Sequence, residues 1–430
     1  MRSLLLPLLA LLLFSGCSQL TPYNPDPQAK SFEEEDLFIF SALVAEEEQH
    51  FAEAAEIYSE LYARSGKSEY LYRAMAMYNG AGAYETVITR SREEQVKHPE
   101  DRNLIRFEVI GMLALEQYDA AKEKALKLVA ESKEAEDFLL VSEIYIKTHR
   151  YDTALKYLER AYAIDFDEEI LDKMSIILYV NLGRQSEAIS YLESHSRLHG
   201  CSSVICRRLA GYYSDQNNVD GMLTTYLRLY EVEPRDEYAQ IIVKLYNYKK
   251  EYLPLLEFLE KSGSDDITLL QLYINARSFE KAAALSRKLY EEKGDAVFLG
   301  QYAIFTYEKA EDKNDRAMLD EVVENLEKVT RVHEEGLYLN YLGYLMIVHD
   351  IDIKGGMEYV RRALAQEPDS PYYNDSLAWG YYKLGDCKKA RELMGPVIEK
   401  LGMDDPEVSG HIRAIDACLA KPKPKNKTVK

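Results

Sequence analysis

Four side chains near the middle of the chain have the types and spacing of a metal site: His195, His199, Cys201 and Cys206, in the order H-x3-H-x-C-x4-C. Two imidazoles four residues apart share one helix face, and His with Cys is a zinc donor set. The spacing is not that of a zinc finger, and the set straddles a junction between two helical units. Cys201 and Cys206 have two further readings, a disulfide in an oxidising compartment or a pair of free thiols. No catalytic signature accompanies them. The sequence has no Gly-rich loop ending in Lys-Ser/Thr, no G-x-G-x-x-G after a strand, no H-E-x-x-H and no G-x-S-x-G. With 73 Asp and Glu residues, any pair of carboxylates is uninformative. Most belong on solvated helix faces beside lysines three or four residues away. The chemistry expected is binding, with no enzyme activity and no cofactor.

One further cysteine sits in a setting of its own. Arg2 precedes an apolar run from Leu4 to Phe14, broken by Pro7 and Ala10 and followed by Ser15-Gly16-Cys17. That order reads as a secretory signal over residues 1–16, too short to remain as a membrane span. Phe14-Ser15-Gly16-Cys17 resembles the bacterial lipobox, with Phe where Leu is usual. The resemblance implies palmitate-type acylation of Cys17, and each buried methylene adds about 0.8 kcal/mol to anchoring. Ser18, where an inner-membrane signal would have Asp, points to the outer membrane and its periplasmic face. The inner membrane and the cell surface are the alternative locations. Residues 17–30, with Pro22, Pro25 and Pro27, read as a flexible tether.

The body that follows is acidic. The formal charge is −20, and setting aside Arg2 and the five lysines after residue 420 takes it to −26 for residues 17–420. Such a surface argues against nucleic acid and against direct adhesion to anionic headgroups. The tail, 421–430, alternates Lys with Pro and reads as a disordered, solubilising end. At 430 residues the chain is past the size at which single cores stop growing.

A short pattern recurs through the body: an aromatic or apolar residue, two mostly polar ones, then a small or apolar one. It occurs at Phe51-Ala52-Glu53-Ala54, Tyr84-Glu85-Thr86-Val87, Tyr118-Asp119-Ala120-Ala121 and Tyr151-Asp152-Thr153-Ala154. Gln185-Ser186-Glu187-Ala188 and Val219-Asp220-Gly221-Met222 continue it at steps of 33 or 34, and Leu255 follows. Ala282 comes early, Val322 late, and Gly356 and Ala390 restore the 34-residue step. Leu342-Gly343 with Gly356, Ala363 and Pro368 adds further marks. So do Leu377, Tyr381, the Leu384-Gly385-Asp386 turn and, nearer the middle, Val141, Tyr145, Leu158 and Ala161.

These residues resemble the tetratricopeptide repeat over roughly residues 38–416. The resemblance implies an all-α, right-handed α-solenoid of about eleven helix-turn-helix units, each stable only when stacked on its neighbours. Residues 31–310 form the main array and 311–420 the C-terminal repeats with a capping helix. The short unit near 255–282 and the polar Glu311-Asp312-Lys313-Asn314-Asp315 loop mark the weakest stretch. Antiparallel stacking brings Cys387, at the start of one helix, beside Cys418, near the end of the next, so a disulfide stapling the cap is expected. Family members bind peptides on the concave face, here Asn340 and Tyr344, then Tyr372, Asp375, Trp379 and Tyr382. The alternative for these aromatics is packing between units. Arg106, Lys173, Arg207 and Arg208 form a weaker, basic candidate surface.

The chain resembles outer-membrane lipoproteins with tetratricopeptide arrays. That implies a lipid-anchored adaptor for protein partners in assembling or regulating a cell-envelope complex. Its membrane contact would be the N-terminal lipid, and nucleic acid is not a partner. The alternatives are a permanent subunit of a secretion or motility machine, and a metal-dependent factor using the His195–Cys206 cluster.

Overall fold

The computed structural model describes residues 30–420, and every regular element in them is helical. The first helices are α1 (Glu35–Glu47), α2 (Phe51–Ser65), α3 (Ser68–Gly80), α4 (Tyr84–Lys97), α5 (Arg102–Ala114) and α6 (Tyr118–Ser132). They are followed by α7 (Ala135–Lys147), α8 (Tyr151–Asp165), α9 (Glu168–Ile176), α10 (Gln185–His199), α11 (Ser203–Asp215) and α12 (Val219–Val232). A π-helical turn, Ile177–Asn181, extends α9. Within α13 (Asp236–Lys249), after Ile242, falls the boundary between two compact units of the described residues. The second unit continues with α14 (Tyr252–Ser262), α15 (Asp266–Asn275), α16 (Phe279–Lys293), α17 (Ala296–Lys309) and α18 (Arg316–Val332). It ends with α19 (Gly336–Val348), α20 (Ile353–Gln366), α21 (Pro371–Lys383), α22 (Cys387–Leu401) and α23 (Pro406–Ala420).

Among the described residues, each odd-numbered helix is followed by an even-numbered one in a helix-turn-helix unit, eleven in all, with α23 after the last of them. The residue picked out by the sequence period is the fourth of its even-numbered helix, as at Ala54, Ala154 and Ala390. Val322 departs from this because α18 starts one turn early, straight after the polar loop. All of these marked positions are buried except Met222, which is half-buried. Where they are Gly or Ala, the paired helices can approach closely. A Cβ on Gly343 would stand 2.5 Å from the Gly356 carbonyl oxygen, and one on Gly356 would stand 2.6 Å from that of Gly343.

The turns repeat as faithfully as the helices. A left-handed residue closes the first helix of most pairs: Gln49, Gly82, Glu116, His149, Gly183, Asn217, Lys250, Arg277, Asp350 and Gly385. The next amide then reaches back to a carbonyl of the last turn, as Ala83 to Tyr78 and Asp386 to Tyr381, both at 2.9 Å. This Schellman closure satisfies carbonyls the helix end would otherwise leave open. At the α17–α18 connection the polar loop does the work instead. Lys313 Nζ donates to the carbonyls of Tyr307 and Glu308, and Asp315 caps α18 through the amides of Ala317 and Met318.

The interior of the first unit includes one long core from Ile88 to Tyr238, whereas that of the second is broken into smaller ones. In the second unit one runs from Leu299 to Met346, the next from Leu339 to Leu377, and the last from Ala378 to Ile415. Tyr359, Tyr381 and Leu393 each border two of them. The 34 tyrosines have a related use. Many bury the ring between neighbouring repeats and donate the hydroxyl to a carboxylate about one repeat away. Tyr62 bonds Glu94 at 2.7 Å, Tyr179 bonds Asp215 at 2.7 Å, and Tyr191 bonds Glu159 at 2.9 Å. Burial, then the carboxylate bond, pushes these three phenols up to about 12, so they stay protonated donors.

Candidate functional site

The groove residues expected from the sequence converge at the C-terminal end of the second unit. On α21, Tyr372, Asp375, Trp379 and Tyr382 fall at helical spacing on one face. Ser370 and Pro371 start this helix, and the fixed φ of Pro suits its first turn. Asn340 and Tyr344 are one turn apart on α19. The polar atoms that tie the face together come from α23. His411 Nδ1 donates to both carboxylate oxygens of Asp375, at 3.0 and 2.9 Å. Its ring stacks on Trp379 with centroids 4.0 Å apart, and Trp379 stacks in turn on Tyr382 at 4.5 Å. Tyr344 donates its hydroxyl to Glu407, nearly two repeats further along the chain.

Three successive odd-numbered helices, α19, α21 and α23, thus meet through side chains. Asp375 and His411 are each 7% exposed, while Glu407 lies open and Trp379 is half-buried. Burial first, then the bond to Glu407, pushes the Tyr344 phenol well above the ordinary tyrosine range. It therefore acts only as a donor at neutral pH. Tyr372 stands apart, 62% exposed at the start of α21. Asn340 Oδ1 is buried with no hydrogen-bond partner. So the structure joins Tyr344, Asp375, Trp379 and Tyr382 into one cluster, with Asn340 beside it and Tyr372 at its edge.

Glu407 and His411 were not singled out from the sequence, because they lie beyond the last full repeat. A signal was present. Asp405 heads the Pro406-Glu407 helix start and accepts from the amides of Glu407 and Val408. The four-residue spacing of Glu407 and His411 then places both on one face.

The four cysteines of the body are paired. Cys387, first residue of α22, and Cys418, near the end of α23, form a disulfide with Cα atoms 6.1 Å apart. Cys201 and Cys206 form another across the α10–α11 turn, with Cα atoms 5.4 Å apart. Both spacings fit ordinary disulfide geometry. The zinc reading of the central set is corrected accordingly. Its two sulfurs bond each other, and His195 uses both ring nitrogens, Nδ1 with the Tyr162 hydroxyl at 2.8 Å and Nε2 with Glu168 at 3.2 Å. The His199 ring lies against those of Phe166 and His195. What unites these groups is packing between repeats.

The basic candidate surface is also corrected. Arg106 is 9% exposed and held by Asp137 at 2.7 Å, with Glu134 and Glu136 around it. Lys173 pairs with Glu143 at 3.3 Å and Arg208 with Asp172 at 2.6 Å. Arg207 stays exposed, its Nε donating to the Ser203 carbonyl. These cations mostly bind the acidic face of the adjoining repeat. Cys17, the 1–16 signal segment, nearly all of the tether and the 421–430 tail lie outside the described residues. No helix among the described residues is long and apolar enough to cross a membrane.

Helix pairs of this length and step, with a small or apolar residue at the marked position of each, define an all-α array of tetratricopeptide-like repeats. No protein-family model matches the chain, and no curated protein matches it. Among solved structures, it is similar to a chain of the APC/C hetero-tetramer Cut9–Hcn1, at 13% identity and TM-score 0.32, covering 91% of this chain and 95% of that one. It is also similar to the P58(IPK) TPR domain, at 11% identity and TM-score 0.29, covering 90% and 98% of the two chains. A thermophilic TPR protein of Thermus thermophilus matches at 16% identity and TM-score 0.29, covering 49% of this chain and 97% of its own. The fold assignment rests on the helix pairs themselves and not on these matches.

Proposed function

We propose that the chain is a protein-binding scaffold of the bacterial cell envelope, anchored by acyl chains on Cys17 and holding a partner segment against the α19–α21–α23 face. The observation that carries the binding reading is the aromatic ladder there. Tyr372 is 62% exposed, and Trp379 is half-buried between Tyr382 and His411. Rigid aromatics beside buried polar groups have the composition of binding hot spots. The paired Cys201–Cys206 and Cys387–Cys418 support export to an oxidising compartment, in keeping with the signal-like N-terminus.

The test uses a photocrosslinking residue at position 372 in intact cells, with one at exposed Arg413 as control. The reading expects a partner captured from 372 and lost when Trp379→Ala is added. Capture that survives Trp379→Ala assigns the aromatics to packing and removes the groove reading. The anchor is tested separately. Cys17→Ser is expected to release the protein from the membrane fraction, and mass spectrometry of the N-terminal peptide is expected to show an acylated Cys17.

A second reading, a permanent subunit of a larger machine, is favoured by α1. Leu37 and Phe40 on its outer side are 63% and 66% exposed, with Leu43 and Val44 continuing the apolar surface. A fixed subunit would stay in its complex when the groove is altered and leave it when Leu37 and Phe40 are changed.

A further inference from the structure

The last helix brings a second kind of chemistry to the groove. One nitrogen or oxygen from each of Asp375, Glu407 and His411 lies within 4.8 Å of the other two. We propose that these three side chains form a binding site for one divalent transition cation of the zinc class, joining α23 to α21.

The donor set favours such an ion. Imidazole nitrogen with carboxylate oxygens suits zinc and its first-row neighbours, whereas calcium and magnesium prefer oxygen alone. Ligand bonds of about 2.0–2.2 Å place two ligands of one ion within about 4 Å of each other. A small inward movement of the exposed Glu407 side chain therefore closes the site. The histidine is already oriented for the task. Its Nδ1 faces both oxygens of Asp375 at 3.0 and 2.9 Å, close to the separation of two ligands on one ion, so a cation entering there displaces the Nδ1 proton and takes both groups as ligands. Glu407 is oriented in turn by the Tyr344 hydroxyl.

The local charge points the same way. Elsewhere in the chain, buried carboxylates meet cations: Glu35 meets Lys67, Glu108 meets Arg92 and Lys124, and Asp137 meets Arg106. Asp375 meets a histidine instead, with a second carboxylate, Glu407, in the same cluster. Two carboxylates converge on one imidazole there, and a divalent ion would offset their charge. An ion there fastens α23 to α21 and, through Tyr344, bears on α19. It also sits beside Trp379, the sole tryptophan of the chain. The site does not depend on the partner-binding reading, because it needs no second protein.

That tryptophan supplies the assay. The full mature chain, stripped with chelator, is titrated with Zn2+ alone while Trp379 emission is followed, and stoichiometry is taken from competition with a chromophoric chelator. The expected result is a saturable emission change at one equivalent, with at least a tenfold weaker affinity in Glu407→Gln and in His411→Gln. Ca2+ at the same concentration is expected to leave the signal unmoved. Glu407 is exposed, so Glu407→Gln keeps its fold, which circular dichroism checks. If Zn2+ leaves Trp379 emission unchanged, or Glu407→Gln titrates like the native chain, the proposal is overturned. Zinc uptake without either response would be adventitious surface binding and overturns it equally.

Discussion

Replacing Gly343 with Ala puts the close crossing of α19 and α20 to a direct test. The new methyl would meet the Gly356 carbonyl oxygen at 2.5 Å and Val360 Cγ2 at 2.7 Å. One neighbour is backbone and the other a stiff β-branched side chain, and both lie well inside van der Waals distance, so the two helices must move apart. Overpacking of this kind costs about 1–3 kcal/mol. Alanine also improves intrinsic helix propensity by about 1 kcal/mol. The net expectation is a loss of up to about 2 kcal/mol, or up to roughly 8 °C in Tm for a unit of this size. Gly410→Ala is the matched control. It lies inside α23 with nothing within 4 Å of its Cβ position, so only the propensity gain remains and the melting point should rise. Trp379 belongs to the same unit as both sites, so its emission during thermal or urea unfolding reports on each variant. If Gly343→Ala proves as stable as the native chain, the close crossing is not what demands a small residue there.

Two further perturbations follow from the buried polar groups and the cap. Glu108 is fully buried and accepts from Arg92 at 2.7 Å, Gln95 at 3.0 Å and Lys124 at 2.8 Å. Burial works to raise its pKa, but those three bonds outweigh it and hold the carboxyl below its ordinary 4.5. Its stabilising contribution is therefore complete above the unfolded value and is lost as pH falls through the lower folded one. Glu108→Gln should destabilise the first unit by about 1–3 kcal/mol at pH 7 and flatten the acid limb of its stability profile. Urea unfolding between pH 3 and pH 7 measures both, and an unaltered acid limb would refute the assignment. Reducing Cys387–Cys418 reopens a link between residues 31 apart, a span worth about 3–4 kcal/mol in the chain-entropy account. Amide exchange across residues 406–420 should accelerate on reduction, and unchanged exchange would show that packing alone holds the cap.

The repeat was legible because its physics is periodic. Ala54, Ala121, Ala154 and Ala390 are small for one reason, a helix crossing, and that reason returns every 33 or 34 residues. The polar stretch Glu311–Asp315 was legible as an insertion for the complementary reason, since it breaks the period. What could not be read were partners set by geometry rather than spacing. Arg106 looked like part of an open basic surface, yet Asp137, 31 residues away, takes its charge into the interior. His195 and His199 had metal-ligand spacing, but their ring contacts are with Tyr162 and Phe166 of the repeat before. Of the cluster around Trp379, the α21 face was readable from helical spacing. Its counterpart on α23 was not, because the periodic signal ends before Glu407 and His411.

The Tyr344–Glu407 bond sets the C-terminal end apart in the history open to such a chain. Many of the polar links described above join neighbouring repeats about 33 residues apart, so a module gained or lost by duplication or deletion mostly renews contacts of the same kind. Here that freedom ends. A hydrogen bond that skips a whole repeat, with a disulfide fastening the final helix, ties α19 through α23 into one block, from which no repeat can be removed without breaking a link. Change in array length should therefore accumulate upstream of α19, leaving the terminal block as the fixed point from which the number of repeats can vary.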